Sequence, residues 1–227
     1  VDLQKNLQIR EIRSRRDQPL YRAIELMVEA EYGAHPFHKP AMGYPETVEK
    51  LTRDDLVKSY SAVYAPNNMV ISAVGNFDEK ALIMDISNAM GVLSQGQPLQ
   101  RIPGEIPSHK APVEKIESRE TAASWFALGW FSPRLTDPDY YAMEVLDSIT
   151  GGSMNSRLFV AIREQRGLAY QVASFVNARM ETGLYAAYIG TKPATYEEAR
   201  KVLLEEIFRM KREKVSEEEL QHAKNYL

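Results

Sequence analysis

The stretch from Gly151 to Tyr170 constrains this chain more than any other. It opens Gly151-Gly152-Ser153-Met154-Asn155-Ser156-Arg157-Leu158-Phe159 and closes Arg163-Glu164-Gln165-Arg166-Gly167-Leu168-Ala169-Tyr170. A glycine pair followed by Asn155 and Ser156 predicts a flexible turn and a helix N-cap, because short polar side chains accept hydrogen bonds from the first helical N–H groups. Leu158, Phe159 and Ile162 recur at helical spacing and predict a short amphipathic helix. Gly167 predicts its end, in the left-handed conformation that glycine adopts without steric cost. Tyr170 opens a strand. Arg163 then falls on the last helical turn and Tyr170 just past the reversal, so both polar heads are expected to face one cleft.

The rest of the chain narrows the chemistry by exclusion. Its 227 residues suffice for one large domain or two small ones with a buried core. A net charge of −3 with no basic stripe argues against a nucleic-acid partner. No apolar run approaches the roughly 18–20 residues of a membrane span, and no signal peptide is legible. Without cysteine there is no disulfide, thiol nucleophile or thiolate metal site, and the compartment stays open between cytoplasm and periplasm. The chain starts in one charged helical pattern at Val1 and stops inside another at Leu227. Both ends read as cuts in a longer polypeptide.

Taken in order, residues 1–32 predict two helices broken at Pro19. The loop His35 to Pro45 carries His35 and His38 at a spacing that can bind metal. Flanking prolines exclude a helix there, however, and no carboxylate is near, so a structural role is expected. Thr52 with Asp55 predicts a capping box for a helix through about Tyr64. Met69–Gly75 predicts a strand, and Asp78 caps a helix whose Leu82, Ile83, Ile86, Ala89 and Met90 form its buried face. Residues 94–113 hold four prolines and two glycines and predict a semi-rigid linker. Strands are expected at 114–120 and 123–131. A helix opens at Asp137-Pro138 with Tyr141, Val145, Leu146 and Ile149 inward. A hairpin follows over 170–177 and 183–191, then an amphipathic helix over 196–213. Ser216 with Glu219 is a second capping box. The fold class is α+β.

No Ser/His/Asp arrangement is legible, and Gly151-Gly152 lacks the lysine and spacing of a phosphate loop. What remains is Glu11, the histidine loop and the Arg163/Tyr170 pair. Several stretches in one order resemble the pitrilysin/insulinase-type zinc metallopeptidases, which include mitochondrial processing peptidase. They are Glu11-Ile12 with Asp17 and Pro19, His35-Pro36-Phe37 leading to Gly43, Asp55-Leu56 leading to Tyr64-Ala65-Pro66-Asn67-Asn68-Met69-Val70, and Gly75-Asn76. The Gly151–Tyr170 stretch is the most specific of them.

The resemblance implies half-domains of mixed, mainly antiparallel sheet packed by helices. Residues 1–93 would be the C-terminal part of a first half, 94–113 the linker, and 114–227 the N-terminal and central part of a second half. It implies zinc in the full-length enzyme, held by an inverted His-x-x-Glu-His motif and a later glutamate, the place at which Glu11 stands. It implies that an arginine and a tyrosine seven residues apart, here Arg163 and Tyr170, bind a peptide substrate and stabilise the oxyanion, with Gly151 and Gly152 beside them in substrate binding. Neither His-x-x-Glu-His nor its reverse occurs in the 227 residues. Two readings therefore stay open. The segment belongs to an active endopeptidase whose zinc helix lies upstream, with Glu11 a ligand, or to a non-catalytic partner subunit or peptide-binding assembly module. Either way the segment alone is expected to bind no zinc and cleave nothing. Its partners would be the rest of its own chain and a second metallopeptidase-like subunit or a copy of itself.

Overall fold

A computed structural model describes residues 1–99 and 104–227; residues 100–103, inside the expected linker, lie outside the described residues. Pro19 divides the N-terminal pattern where its missing N–H cannot continue a helix. This yields α1 (Asp2–Asp17) and α2 (Pro19–Tyr32). Then come α3 (Pro45–Lys50), α4 (Arg53–Val63), α5 (Glu79–Gly91), β1 (Ser124–Ser132) and α6 (Tyr140–Thr150). A π-helix (Phe159–Glu164), β2 (Gln171–Ala178), β3 (Gly183–Thr191), α7 (Tyr196–Arg212) and α8 (Glu217–Tyr226) complete the order. The architecture is α+β, with three antiparallel strands in the order β1-β3-β2.

The chain divides into two compact units. One is Val1–Ile12 with the described part of Met42–Pro103; the other is Arg13–Ala41 with Gly104–Leu227. In the first, the Thr52–Asp55 capping box forms as expected: the Asp55 carboxylate accepts from Thr52 N at 2.9 Å, and the Thr52 hydroxyl from Asp55 N at 3.2 Å. Asp78 caps α5 by accepting from Ala81 N at 2.9 Å. The Asn67 and Asn68 amides pair with the backbone of Gly96, Gln97 and Leu99, seating the described start of the proline-rich segment.

Two expectations fail in this unit. Residues 69–75 form no strand, and Val70 and Val74 are almost wholly exposed. Strand backbone needs a ladder partner, and every strand among the described residues belongs to the other unit. The α5 face expected to be buried likewise stays open: Ile83 is exposed and no residue of that helix is buried.

The second unit is built on β3, whose residues are buried on both faces. Period-2 alternation sorts them. Ala187 and Ile189 join Phe126, Val172, Leu158, Ile162, Leu168 and the α7 residues Ala199, Val202 and Leu203. Leu184 and Ala186 point the other way, onto Met27 and Tyr32 of α2. Each fully buried aliphatic side chain in such a core contributes about 1.5–3 kcal/mol.

The strand expected at 114–120 is absent. That segment runs as irregular chain held to α2 by two ion pairs, Glu117 to Arg22 at 2.7 Å and Lys115 to Glu29 at 2.9 Å, and to the end of α1 by Arg119 donating to the Arg16 carbonyl at 2.7 Å. Its charges engage α1 and α2, and Ile116, the one aliphatic residue of 114–120, is exposed. Helix α6 begins at Tyr140, and Tyr141, expected inward, is exposed; Ile149 is buried as expected. The histidine loop contains one 3₁₀ turn, Pro36–His38, with Pro36 at its tolerated first position.

Candidate functional site

Helix α6 ends in the glycine pair, and the N–H groups of Gly151 and Gly152 both donate to the Asp147 carbonyl, at 2.9 and 2.8 Å. Neither glycine has a positive φ, so left-handed freedom is not what the position requires. Close approach is. A Cβ on Gly151 would stand 2.6 Å from both Ser174 N and Ser174 Oγ, and one on Gly152 would stand 2.8 Å from Asp147 Oδ2. The turn is therefore pressed against its own helix and against β2.

Beneath it lies a polar cluster that the sequence does not announce. Ser174 Oγ donates to Asp147 Oδ1 at 2.5 Å. Burial raises the Asp147 carboxyl above the usual carboxylate range; the Ser174 hydrogen bond opposes this, and Glu144 adds to it. Burial also pushes the Tyr185 phenol up to about 12, among the hydroxyls of Ser174 and Thr150. The Tyr185 hydroxyl makes no hydrogen bond of good geometry there.

The chain then enters the π-helix. Val160 N donates to Ser156 O at 3.0 Å, but Gln165 N reaches Val160 O, five residues back, at 2.9 Å. The apolar spacing fits an α-helix equally, so the sequence predicts the commoner form. In the structure Leu158, Ala161 and Ile162 are all buried, packing against α7 and β2. π-Turns occur frequently at functional sites. Gly167 closes the element as expected, at φ 64°, with Leu168 N donating to Ile162 O at 2.9 Å.

This scaffold carries both candidate heads. Arg163 is exposed on the π-helix, its guanidinium 5.2 Å over the Phe159 ring, a contact worth about 0.5–1 kcal/mol at an exposed site. Tyr170 is half-exposed, and its N–H donates to Gly190 O at 2.8 Å, which seats it at the start of β2 in register with β3. The two residues stand on either side of the Gly167 reversal, within one unit.

The other candidates fall elsewhere. Glu11 is exposed on α1, in the first unit. His35 is buried, its Nδ1 accepting from Phe37 N at 3.2 Å, while His38 Nδ1 lies 2.7 Å from the His35 carbonyl. These rings are engaged in holding the loop. Among the described residues no three His, Cys, Asp or Glu side chains are gathered to hold a metal ion. Zinc sites in proteins take three or four such ligands, so these residues alone do not fit zinc.

Sequence reading also missed Arg157 with Glu219, a two-pronged pair at 2.7 and 2.9 Å. Arg157 is visible in the glycine-led stretch and Glu219 in a capping box, but nothing links positions 62 residues apart. Their neighbours Ser153, Asn155, Ser216, Glu218 and His222 line a small open pocket, with Asn155 Nδ2 at 3.3 Å from His222 Nε2. No helix among the described residues is long and apolar enough to cross a membrane.

Known proteins resemble this chain in sequence and in fold. An uncharacterized zinc protease of Streptomyces coelicolor is 29% identical over 98% of this chain and 50% of its own length. The zinc protease YmxG of Bacillus subtilis, also uncharacterized, is 28% identical over 99% of the chain and 54% of its own length. The chain thus spans about half the length of the curated relatives it matches. A crystal structure of a peptidase M16 inactive domain from Pseudomonas fluorescens superposes with a TM-score of 0.89 at 24% identity, over 98% of this chain and 54% of that one. The family described as Peptidase M16 inactive domain matches residues 50–227. The chain belongs to that peptidase family.

Proposed function

We propose that this chain is the peptide-binding part of a zinc-dependent metalloendopeptidase that acts on peptides or unfolded segments. Residues 114–227 are its Arg/Tyr-bearing half and residues 1–93 the end of the half before it. The observation that carries the reading is the placement of Arg163 and Tyr170: two exposed donors, each seated by buried neighbours, flanking one glycine reversal. A guanidinium and a phenol fixed on rigid elements are suited to a peptide carbonyl on which negative charge develops. Gly151 and Gly152 are proposed to join them in substrate binding, as a stretch of backbone free of side chains. Zinc, when bound in the whole protein, supplies the activated water that attacks the carbonyl; Glu11 is proposed as one of its ligands, the others coming from outside these residues. The family's description as an inactive domain favours a second reading, a non-catalytic partner subunit that binds peptide without cutting it.

Arg163→Ala and Tyr170→Phe in the full-length protein are each expected to lower kcat/KM for an unstructured peptide at least about tenfold, which is 1.4 kcal/mol of transition-state stabilisation. Melting temperatures should fall by no more than about 4 °C, since both side chains are exposed and Arg163→Ala gives up only its contact with the Phe159 ring. A smaller loss removes the oxyanion role. Weakened peptide binding in a full-length protein without zinc-dependent turnover selects the second reading. Zinc-dependent cleavage by the isolated 227 residues overturns both.

A further inference from the structure

The Asp147–Ser174 hydrogen bond joins two pieces of chain that lead to the two proposed binding residues. On one side, Asp147 holds the glycine pair through its carbonyl, and the chain runs on by Ser156 N to Ser153 O and Val160 N to Ser156 O into the π-helix of Arg163. On the other, Ser174 stands on β2 opposite Ala187, on the strand that Tyr170 leads into. The seat leaves little slack: a Cβ on either glycine would come within 2.6–2.8 Å of Ser174 or Asp147. A carboxylate is also a costly way to fill such a place. Burial disfavours its charge, and packing alone would be met more cheaply by an apolar side chain. The Ser174 hydroxyl is the hydrogen-bond partner this carboxyl meets there.

We propose that Asp147 is a positioning residue for peptide binding: through Ser174 it locks the Gly151-Gly152 turn onto β2 and so sets Arg163 and Tyr170 relative to each other. The proposal rests on the reading of those two residues given above. A displacement of about 1 Å in a site far from the chemistry can cost up to about a hundredfold in rate, so loss of the lock matters without unfolding the chain.

The test uses the full-length protein and a labelled unstructured peptide. Asp147→Ala and Ser174→Ala are each expected to weaken peptide handling about tenfold, read as kcat/KM, or as Kd if the protein does not cut. The double variant should lose no more than either single one, because both remove the same bond. Asp147→Asn, which keeps the Oδ1 acceptor, should restore most of the loss. Placed on Arg163→Ala/Tyr170→Phe, Asp147→Ala should add nothing, whereas a merely structural residue would still lower the active fraction. If Asp147→Ala fails to fold, Ser174→Ala, which removes one hydroxyl, carries the same comparison. Unchanged peptide handling in Ser174→Ala, or an additive loss on the Arg163/Tyr170 background, overturns the proposal. If Arg163→Ala and Tyr170→Phe themselves leave binding and turnover intact, it is the functional reading that fails.

Discussion

Replacing Ile162 by alanine lowers the unfolding free energy by about 3–4 kcal/mol, within the usual range for a buried isoleucine truncated to alanine. Ile162 has no exposed surface, and its cluster includes Leu158, Leu168, Val172 and Leu203. Those neighbours come from the π-helix region, β2 and α7, so no single element can move to fill the void. The residue also sits inside the π-helix and its carbonyl accepts from Leu168 N, the bond that closes the turn toward Tyr170. Thermal or chemical unfolding of the purified chain measures the loss. Ile162→Val, which deletes one methyl group, should cost only about 0.5–1.5 kcal/mol. A cost below about 1 kcal/mol for the alanine variant would mean that the core around the π-helix collapses freely, and that the element is not held as described.

Ile162 also shows what the sequence could and could not say. Its burial was legible from spacing, as were the ends of the element: Gly167 takes the left-handed conformation it predicts. The extra residue in the turn was not legible, because an apolar face at Leu158, Phe159 and Ile162 is compatible with α and π windings alike. Local hydrogen bonding was read well: the boxes at Thr52–Asp55 and Ser216–Glu219 both form, since partners three residues apart need no tertiary information. The hairpin β2–β3 was legible for the same reason. Strands at 69–75 and 114–120 were not, because a strand is defined by a distant partner and not by its own composition. Val70 and Val74 have the right residue type with no ladder beside them; residues 114–120 have charges that find α2 instead. In the candidate site, Arg163 and Tyr170 came from the motif and its resemblance. The Asp147–Ser174 pair against the glycine turn, 27 residues apart, required three dimensions. The glycine pair was visible, but its physical reason, contact with that pair, was not.

Glu219→Ala is expected to cost about 3 kcal/mol at neutral pH, the low end for orphaning a buried ion pair. Arg157 is nine-tenths buried and gives Nε and Nη2 to Glu219, while its Nη1 is already buried without a partner. Truncating Glu219 therefore leaves the guanidinium without its hydrogen-bonded carboxylate, with only the more distant charge of Glu206 to offset it. It also removes the carboxylate that accepts from Ser216 N at 2.9 Å at the start of α8. Arg157→Leu should cost less, because it deletes the buried charge instead of stranding it. Acid provides an independent check. The Arg157 hydrogen bond, with help from the Ser216 backbone, holds the Glu219 carboxyl at about 2, against 4.5 for the unperturbed group. In the window between those values the unfolded chain takes up the proton and the folded chain does not, so stability falls as pH falls. The contribution is full above about pH 5 and is lost toward pH 2. Glu219 is about a third exposed, so screening reduces it to roughly 1–2 kcal/mol. Glu219→Gln removes the charge together with one of the two acceptor oxygens, and only the charge part depends on pH. Its deficit against the unsubstituted chain should be constant from pH 7 to 6, and more than half of the charge-dependent part should be gone by about pH 3. A deficit that stayed flat over that range would show that the carboxylate's charge contributes nothing, and that Glu219 acts only as a hydrogen-bond acceptor for Arg157 and Ser216.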